Sequence, residues 1–212
     1  MTAKKQHGFS LIELLITIAI GITVTSITFV TLVPMMNKNH VDSAYDTTLA
    51  VLRNTRNLAI TQSHQYYVYF NPPYPSGFSY PAGTILVLYQ PPAVNGVYPA
   101  VQQVATYTIP SDMSFAVMTG FPTNSPDGFG TGVTAIDFGQ GLGAGSENWV
   151  CFMPDGSSQD GLGNYNNGVL YISRPADTGI YNARAVTVWG ATGRIRGWRL
   201  YQQSGVPIWV QQ

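Results

Sequence analysis

Near its start the chain reads Gly8-Phe9-Ser10-Leu11-Ile12-Glu13-Leu14-Leu15, and this stretch decides how the rest of the protein is organised. It opens an apolar run over residues 9–36 in which Glu13 is the only charged residue. A helix needs about 20 apolar residues to cross the hydrocarbon core of a bilayer, and this run is long enough. A carboxylate inside such a segment costs about 2.5–3.5 kcal/mol on insertion scales. Glu13 therefore needs a partner or a function.

Two interpretations of the apolar run follow from its composition. A secretory signal peptide has an apolar core of about 7–15 residues, followed by a small-residue cleavage site. Here the run is longer, no Ala-x-Ala pattern follows it, and the small residue Gly8 precedes it. A plain membrane anchor fits the length, and Lys4 and Lys5 would keep the leader in the cytoplasm. That second interpretation leaves Glu13 unexplained.

A third interpretation comes from resemblance. Gly8, Phe9 and Glu13 resemble, in type and spacing, the class III signal of type IV pilins and type II secretion pseudopilins. In that family a prepilin peptidase cuts after the glycine and methylates the new terminal phenylalanine, while the apolar run stays on the mature protein. The resemblance implies cleavage between Gly8 and Phe9, N-methylphenylalanine at the new terminus, and a single-pass protein of the bacterial inner membrane. Its N-terminus would be cytoplasmic and its head periplasmic.

Glu13 acquires an assembly function under this resemblance. After cleavage the amine of Phe9 is a cation, and Glu13 of one subunit can pair with that amine on a neighbour in a helical filament. A paired charge in an apolar setting costs much less than an unpaired one, which favours assembly in register. The alternative is that the side chain of Glu13 merely extends to the membrane interface.

The polar stretch 37–64 keeps the period of an amphipathic helix. Its buried stripe is predicted from steps of four and three: Val41, Tyr45, Thr48, Leu52, Thr55 and Ala59, widened by Leu49, Val51 and Leu58. Arg53, Arg56 and Asn57 lie beside this stripe. Between the apolar run and the amphipathic stretch only Pro34 interrupts the helical pattern, and proline bends or locally opens a helix. We therefore expect one helix over about residues 10–63. The chain is thus predicted to begin with a leader at 1–8. A transmembrane or filament-core helix follows at 9–36, and the amphipathic half of the same helix occupies 37–64.

Residues 65–212 are predicted to form a β-rich head. Short runs rich in Tyr, Val, Ile and Phe alternate with turn-rich connectors, none of which suggests a helix. The predicted strands are 65–70, 84–89, 101–109, 114–118, 133–138, 149–153, 169–173, 185–189 and 194–201. The fold class is therefore α+β. From Phe152 onward the order of motifs is similar to the GspH/FimT group of pseudopilins and minor pilins, which implies a head of two β-sheets.

Composition limits the chemistry that this chain can perform. It has 212 residues, 45% of them hydrophobic and only 9% charged, and its formal net charge is zero, so the whole molecule is not an electrostatic nucleic-acid binder. Cys151 is the only cysteine and its setting predicts an inert core thiol. His40 and His64 have no plausible Ser or Cys partner in sequence. We expect no catalytic residues, no cofactor and no enzyme activity.

Metal and phosphate sites are also not expected. One cysteine and scattered histidines cannot provide a zinc site. The glycine-rich residues 139–143 precede a strand rather than a helix, which argues against a phosphate cradle. The loop 155–167 offers several carboxylate and amide oxygens of the kind that calcium prefers, but its spacing is not that of an EF-hand. A plain hairpin loop is the favoured interpretation.

The C-terminal segment is basic, because no acidic residue follows Asp177 while four arginines do. In an extended strand Arg194 and Arg196 share a face, and Arg199 falls on the other face unless Gly197 marks a bulge. These three arginines, with Trp198 nearby, are candidates to hold DNA phosphates and stack on a base. Gly193, Arg194 and Arg196 also resemble the Gly-Arg-x-Arg element of FimT-type minor pilins, which implies DNA binding.

Two functions follow from this combination. The first is a structural minor pseudopilin or minor pilin of a type II secretion or type IV pilus machine, whose partners are prepilin peptidase, other pilins and an inner-membrane assembly platform. The second is a DNA-binding minor pilin for natural transformation. Secretion pseudopilins also end in such a strand, and a few exposed arginines alone bind DNA weakly and in a salt-sensitive manner.

Overall fold

The computed structural model describes residues 10–72, 80–122, 126–129, 132–140, 147–160 and 162–212, with only the backbone at 29–33. The chain divides into two compact units, Met1–Asn39 and His40–Gln212. We call the second one the globular unit. The predicted processing residues Gly8 and Phe9 lie outside the described residues.

A single helix, α1, runs from Leu11 to Gln62 and contains Pro34. It ends where Ser63 adopts a left-handed backbone conformation, with φ of 57°. The predicted helix is confirmed to within one residue at each end. The predicted stripe is confirmed as well, since these six residues are all buried: Val41, Tyr45, Thr48, Leu52, Thr55 and Ala59.

Ten strands follow the helix. In chain order they are β1 (Gln65–Phe70), β2 (Thr84–Gln90), β3 (Gln102–Thr108), β4 (Ile136–Gln140), β5 (Trp149–Phe152), β6 (Ser158–Gln159), β7 (Asn167–Ile172), β8 (Arg184–Trp189), β9 (Arg194–Gln203) and β10 (Val206–Gln211). They form two antiparallel sheets. Sheet 1 has the order β3-β2-β1-β5-β6, and sheet 2 has the order β10-β9-β8-β7-β4. The predicted α+β class with two sheets is confirmed.

The main core joins the buried stripe of α1 to the inner faces of both sheets. Leu52 of the helix, Phe70 of β1 and Val186 of β8 all belong to it and are fully buried. A second, smaller cluster covers the other face of sheet 2, where Tyr171 and Ala185 are packed by Trp198 and Trp209. Sheet 2 is therefore buried on both faces around β7 and β8. Among the described residues, no comparable cluster covers the outer face of sheet 1.

The strand predictions were wrong in three places: residues 114–118, which are not a strand, and β6 and β10, which were not predicted. Residues 114–118 do not form a strand: only an isolated bridge joins Ser114 to Ser173, because the segment buries Phe115 while its backbone makes little ladder contact. Strand β10 was not predicted, and it contains Pro207. Proline is tolerated there because β10 is the edge strand of sheet 2. A tight turn at Pro126–Gly128, in which Asp127 has a positive φ of 59°, and a short 3₁₀ turn at Ile180–Asn182 were also missed.

Candidate functional site

The first unit presents an apolar helix surface. Leu11–Thr28 is long and apolar enough to cross a membrane, with a mean hydropathy of 2.0, and none of it is buried within the described protein. Glu13 lies in the first turn of α1, where a carboxylate also interacts favourably with the helix dipole, and its side chain is exposed. Its apolar neighbours on the helix include Leu11 and Ile12, which are 82% and 66% exposed.

The three candidate DNA-binding arginines lie on β9, which pairs with β8 in an uninterrupted register. Arg194 is opposite Trp189, Arg196 is opposite Thr187, and Arg199 is opposite Arg184. Because the register does not shift at Gly197, Arg194 and Arg196 share one face and Arg199 lies on the other. The structure therefore does not bring all three guanidinium groups together.

Gly197 has a packing function in place of a bulge. A Cβ atom built at this position would lie 1.7 Å from the hydroxyl oxygen of Tyr45 on α1, so the Tyr45 side chain would have to move. The glycine thus lets the helix approach β9 closely. Gly197 therefore does not form a bulge, and Arg199 does not lie on the same face as Arg194.

Arg196 is already engaged by an acidic group. Its guanidinium forms an ion pair with Asp127, whose side chain is only 4% exposed, and it lies 5.5 Å from the ring centre of Trp189. The second carboxylate oxygen of Asp127 accepts a hydrogen bond from Thr187. This ion pair attaches the 126–129 turn to sheet 2. It also neutralises the positive charge of Arg196, which would otherwise be available to bind a DNA phosphate.

Arg194 belongs to a different setting, a concave basic site. A cavity of about 490 Å³ is lined by Arg53, Arg56 and Arg194, together with Asn57, Thr192, Gly193 and Ile195. We call it the basic cavity. Arg53 and Arg194 are exposed, and no acidic side chain lines the cavity among the described residues.

Arg56 holds the basic cavity in shape. Its Nε donates to the carbonyl oxygen of Gly156 at 3.0 Å, and its Nη2 donates to that of Thr192 at 2.9 Å. These bonds join the helix to the 153–157 turn and to the β8–β9 turn. The sequence placed Arg53 and Arg56 beside the buried stripe, but it did not associate them with Arg194. The sequence feature that could have indicated this site is the pair of basic residues, Arg53 and Arg56, beside the buried stripe.

The remaining polar candidates are engaged in local structure. In the 155–160 loop, Asp155 accepts hydrogen bonds from the backbone N–H and hydroxyl of Ser157, and these lower its pKa. Burial raises the pKa of the Cys151 thiol to about 12, so it is not a nucleophile at neutral pH. His40 contacts Asp112, which also pairs with Arg174. Within the described part of the chain, no group of three or more His, Cys, Asp or Glu side chains is arranged to hold a metal ion.

The comparisons with known proteins bear on the N-terminal segment alone. The family model of the prokaryotic N-terminal methylation motif matches residues 3–29, which include Gly8, Phe9 and Glu13. Neither the curated proteins nor the solved structures gave a match. The family match agrees with the resemblance described from the sequence, and it does not extend into the globular unit. This chain therefore carries the prokaryotic N-terminal methylation motif, the type IV prepilin signal, and is consistent with a type IV pilin-like protein.

Proposed function

We propose that this protein is a structural minor pilin or pseudopilin of the GspH/FimT group. Prepilin peptidase cleaves after Gly8, and Phe9 becomes the methylated N-terminus. The helix anchors the subunit in the bacterial inner membrane with its globular unit in the periplasm, and an assembly platform then adds it to a filament of a secretion or pilus machine.

One observation carries this proposal: the segment Leu11–Thr28 lies within the matched methylation motif, has a mean hydropathy of 2.0, and includes a single charged residue, Glu13. An apolar helix surface needs lipid or other apolar helices around it, because water hydrates it poorly. A lone carboxylate in that surface is tolerated best beside a cation. The freed amine of Phe9 on a neighbouring subunit provides such a cation.

Mass spectrometry of the protein purified from its native membrane tests the processing step. We expect a mature chain that begins at Phe9 and carries one methyl group. A chain that still begins at Met1, or one that has lost the whole apolar segment, would contradict the proposal.

The assembly function of Glu13 is tested with a matched pair of variants on the same helix. Glu13→Ala should insert into the membrane normally but fail to enter filaments. Asp46→Ala, which removes an exposed carboxylate from the globular part of α1, should enter them as the wild type does. Normal incorporation of Glu13→Ala would show that charge pairing is not required.

We propose as a second candidate function that the globular unit binds DNA. The observation that favours it is the basic cavity, in which Arg194 is joined by Arg53 and Arg56 without an acidic residue in the described lining. Three guanidinium groups in a concave site attract phosphates more strongly than the same charges do on a flat surface.

Titration of the full chain in detergent with double-stranded DNA, at several salt concentrations, tests this function. Arg53→Ala and Arg194→Ala should each weaken binding and reduce the slope of log K against log salt by about 1. Arg199→Ala, on the opposite face of β9, should have a smaller effect. Absence of binding at low salt, or equal losses in all three variants, would exclude the basic cavity as the DNA site.

A further inference from the structure

The outer face of sheet 1 carries a row of aromatic side chains. Along β1, Tyr66, Val68 and Phe70 are buried, while Tyr67 and Tyr69 point to the other face and are half-buried. Trp149 of β5 is the register partner of Tyr69.

The three outward rings are close neighbours. The ring centres of Tyr67, Tyr69 and Trp149 are 5.7–6.3 Å apart. We call these three residues the aromatic row. The three rings are half-buried, and Cys151 and Leu86, the register partners of Tyr67 and Tyr69 on this face, are only 3% and 7% exposed. An outer sheet face usually carries charged and polar side chains, so an apolar, aromatic face of this kind is a candidate binding surface.

Two cavities flank the aromatic row. The first, of about 370 Å³, adjoins Tyr67, and its walls include the side chains of Gln65, Gln90 and Gln159. We call it the amide cavity. The second, of about 330 Å³, adjoins Tyr69 and is lined mainly by apolar groups such as Leu86 and Leu88. Both volumes fall in the range of small-molecule sites, about 300–1,000 Å³.

Charge excludes one class of ligand from this surface. None of the ten lysine and arginine residues of the chain lines either cavity in the described structure, and Asp160 in the amide cavity is the only charged residue there. A phosphorylated or carboxylated ligand would find no cation to neutralise it. The expected ligand is therefore neutral, in contrast to the ligand of the basic cavity.

The polar groups of the amide cavity match hydroxyl groups. The Nε2 of Gln90 already donates to the carbonyl oxygens of Pro91 and Pro99, and that of Gln159 donates to Ser157 Oγ. These bonds hold both amides in place, and their carbonyl oxygens can accept hydrogen bonds from sugar hydroxyl groups. Asp160 adds a fixed acceptor, because Asn164 Nδ2 and the backbone N–H of Leu162 hold its carboxylate at 3.0 and 2.8 Å. The C–H groups of a pyranose ring carry a small positive charge and pack on the negative face of an aromatic ring.

The position of the row in the sheet argues against an extended peptide as the ligand. β1 is the central strand of sheet 1, with β2 on one side and β5 on the other. Its backbone hydrogen-bonding groups are already paired in the ladder, so a peptide cannot add as a further strand there. Recognition at this surface must come from side chains alone, which suits a sugar.

We propose that the aromatic row and the amide cavity beside it form a binding site for a neutral oligosaccharide. Pyranose rings stack on Tyr67, Tyr69 and Trp149, and their hydroxyl groups pair with the glutamine amides and Asp160. The site is separate from the basic cavity and from the apolar helix, and it does not depend on the assembly function proposed above.

Calorimetric titration of the full mature chain tests this site. The chain is kept in a zwitterionic detergent, because a detergent with a sugar headgroup would compete for the site. The probes are cellohexaose, chitohexaose and maltohexaose, with a proline-rich decapeptide as the rival ligand. We expect at least one hexasaccharide to bind and the peptide not to bind.

Variants locate the binding. Trp149→Ala and Tyr67→Ala should each weaken saccharide binding by about tenfold, since each removes one stacking surface. Trp189→Ala, which removes an exposed tryptophan from sheet 2, is the matched control and should leave the affinity unchanged. Gln159→Leu removes an amide from the two-residue strand β6, and it replaces the aromatic variants if thermal melting shows that they unfold.

Three results would overturn the proposal. The first is no saccharide binding by a folded wild-type chain up to the solubility limit of the probes. The second is saccharide binding that Trp149→Ala and Gln159→Leu leave unchanged. The third is binding of the peptide, but of no saccharide, in a manner that Trp149→Ala abolishes, which would assign the surface to a protein partner.

Discussion

Gly193 lies directly against Gly156: a Cβ atom built on Gly193 would be 1.9 Å from the carbonyl oxygen of Gly156. That same carbonyl accepts the hydrogen bond from Arg56. The contact joins the β8–β9 turn, whose Thr192 and Gly193 line the basic cavity, to the 153–157 turn. The glycine that precedes Arg194 is therefore required by packing, whatever the arginine binds.

Replacing this glycine should destabilise the globular unit. Gly193 has a positive φ of 58°, so Gly193→Ala combines backbone strain with a clash against Gly156, and we expect a loss of about 2 kcal/mol or more. Gly205→Ala is the matched control, since Gly205 also has a positive φ but a Cβ atom there would meet no other atom within 4 Å. Thermal melting of both variants measures the difference. Equal losses in the two would show that the contact with Gly156 contributes nothing.

The ion pair between Arg184 and Asp42 attaches sheet 2 to α1. Arg184 has a side chain that is only 1% exposed, and its Nη2 donates to Asp42 at 2.6 Å. Asp42→Ala leaves a buried cation without its carboxylate, so we expect a loss of about 2 kcal/mol, moderated because Asp42 itself is 42% exposed. Chemical denaturation measures the loss, and Asp46→Ala, one helical turn away, is the control.

The double variant Arg184→Met with Asp42→Ala gives a further check on this pair. It removes the buried cation together with its partner and should recover part of the lost stability. The Nη1 of Arg184 also donates to the carbonyl oxygens of Asn182 and Ala183. A double variant less stable than Asp42→Ala alone would show that these bonds, and not Asp42, stabilise the buried arginine.

Asp127 is expected to limit the affinity of the β9 face for polyanions. Asp127→Asn keeps the size of the side chain and the positive φ of 59°, which asparagine tolerates, but removes the charge paired with Arg196. DNA binding should become tighter, and the slope of log K against log salt should steepen by about 1. Asp46→Asn, with the same change in net charge, should have little effect. Identical salt slopes for both variants and the wild type would remove Arg196 from the DNA site.

The stability of the 153–157 turn should depend on pH through Asp155. Hydrogen bonds from Ser157 lower the pKa of this carboxyl group, so the ionised form stabilises the fold. That contribution is fully present above the unfolded pKa of about 3.9 and is lost as the pH falls through the lower folded value. The difference in melting temperature between wild type and Asp155→Ala should therefore be constant from pH 7 to about 5 and shrink below about pH 4.

Ser157→Ala is the companion variant, because it removes the hydroxyl that donates to Asp155. It should lose part of the same pH dependence. A difference between wild type and Asp155→Ala that stays constant down to about pH 2 would show that the hydrogen-bonded carboxylate does not stabilise the turn.

The helix and most of the strands could be predicted because their patterns are local. The stripe from Val41 to Ala59 repeats at helical spacing, so the sequence alone predicts which face of the helix packs into the core. Alternation likewise places Tyr66 inward and Tyr67 outward on β1. The prediction failed at 114–118 and at β10, where pairing depends on which chain segment lies alongside.

The candidate sites depended on contacts between distant residues. Arg56 reaches Gly156 and Thr192, which are 100 and 136 positions away in the chain. The partner of Arg196 is Asp127, 69 positions away. No periodicity or motif relates such residues, because the fold alone brings them together.

The sequence by itself determined the apolar N-terminal helix, the methylation motif with Glu13, and the α+β class, since these follow from composition and from short-range spacing. Only the tertiary structure decided that Arg194 joins Arg53 and Arg56, that Arg196 is neutralised, and that three aromatic rings form one surface. The physical reason is that a side chain's electrostatic and packing partners are set by the register and docking of sheets. Those arise from long-range contacts that short-range patterns do not specify.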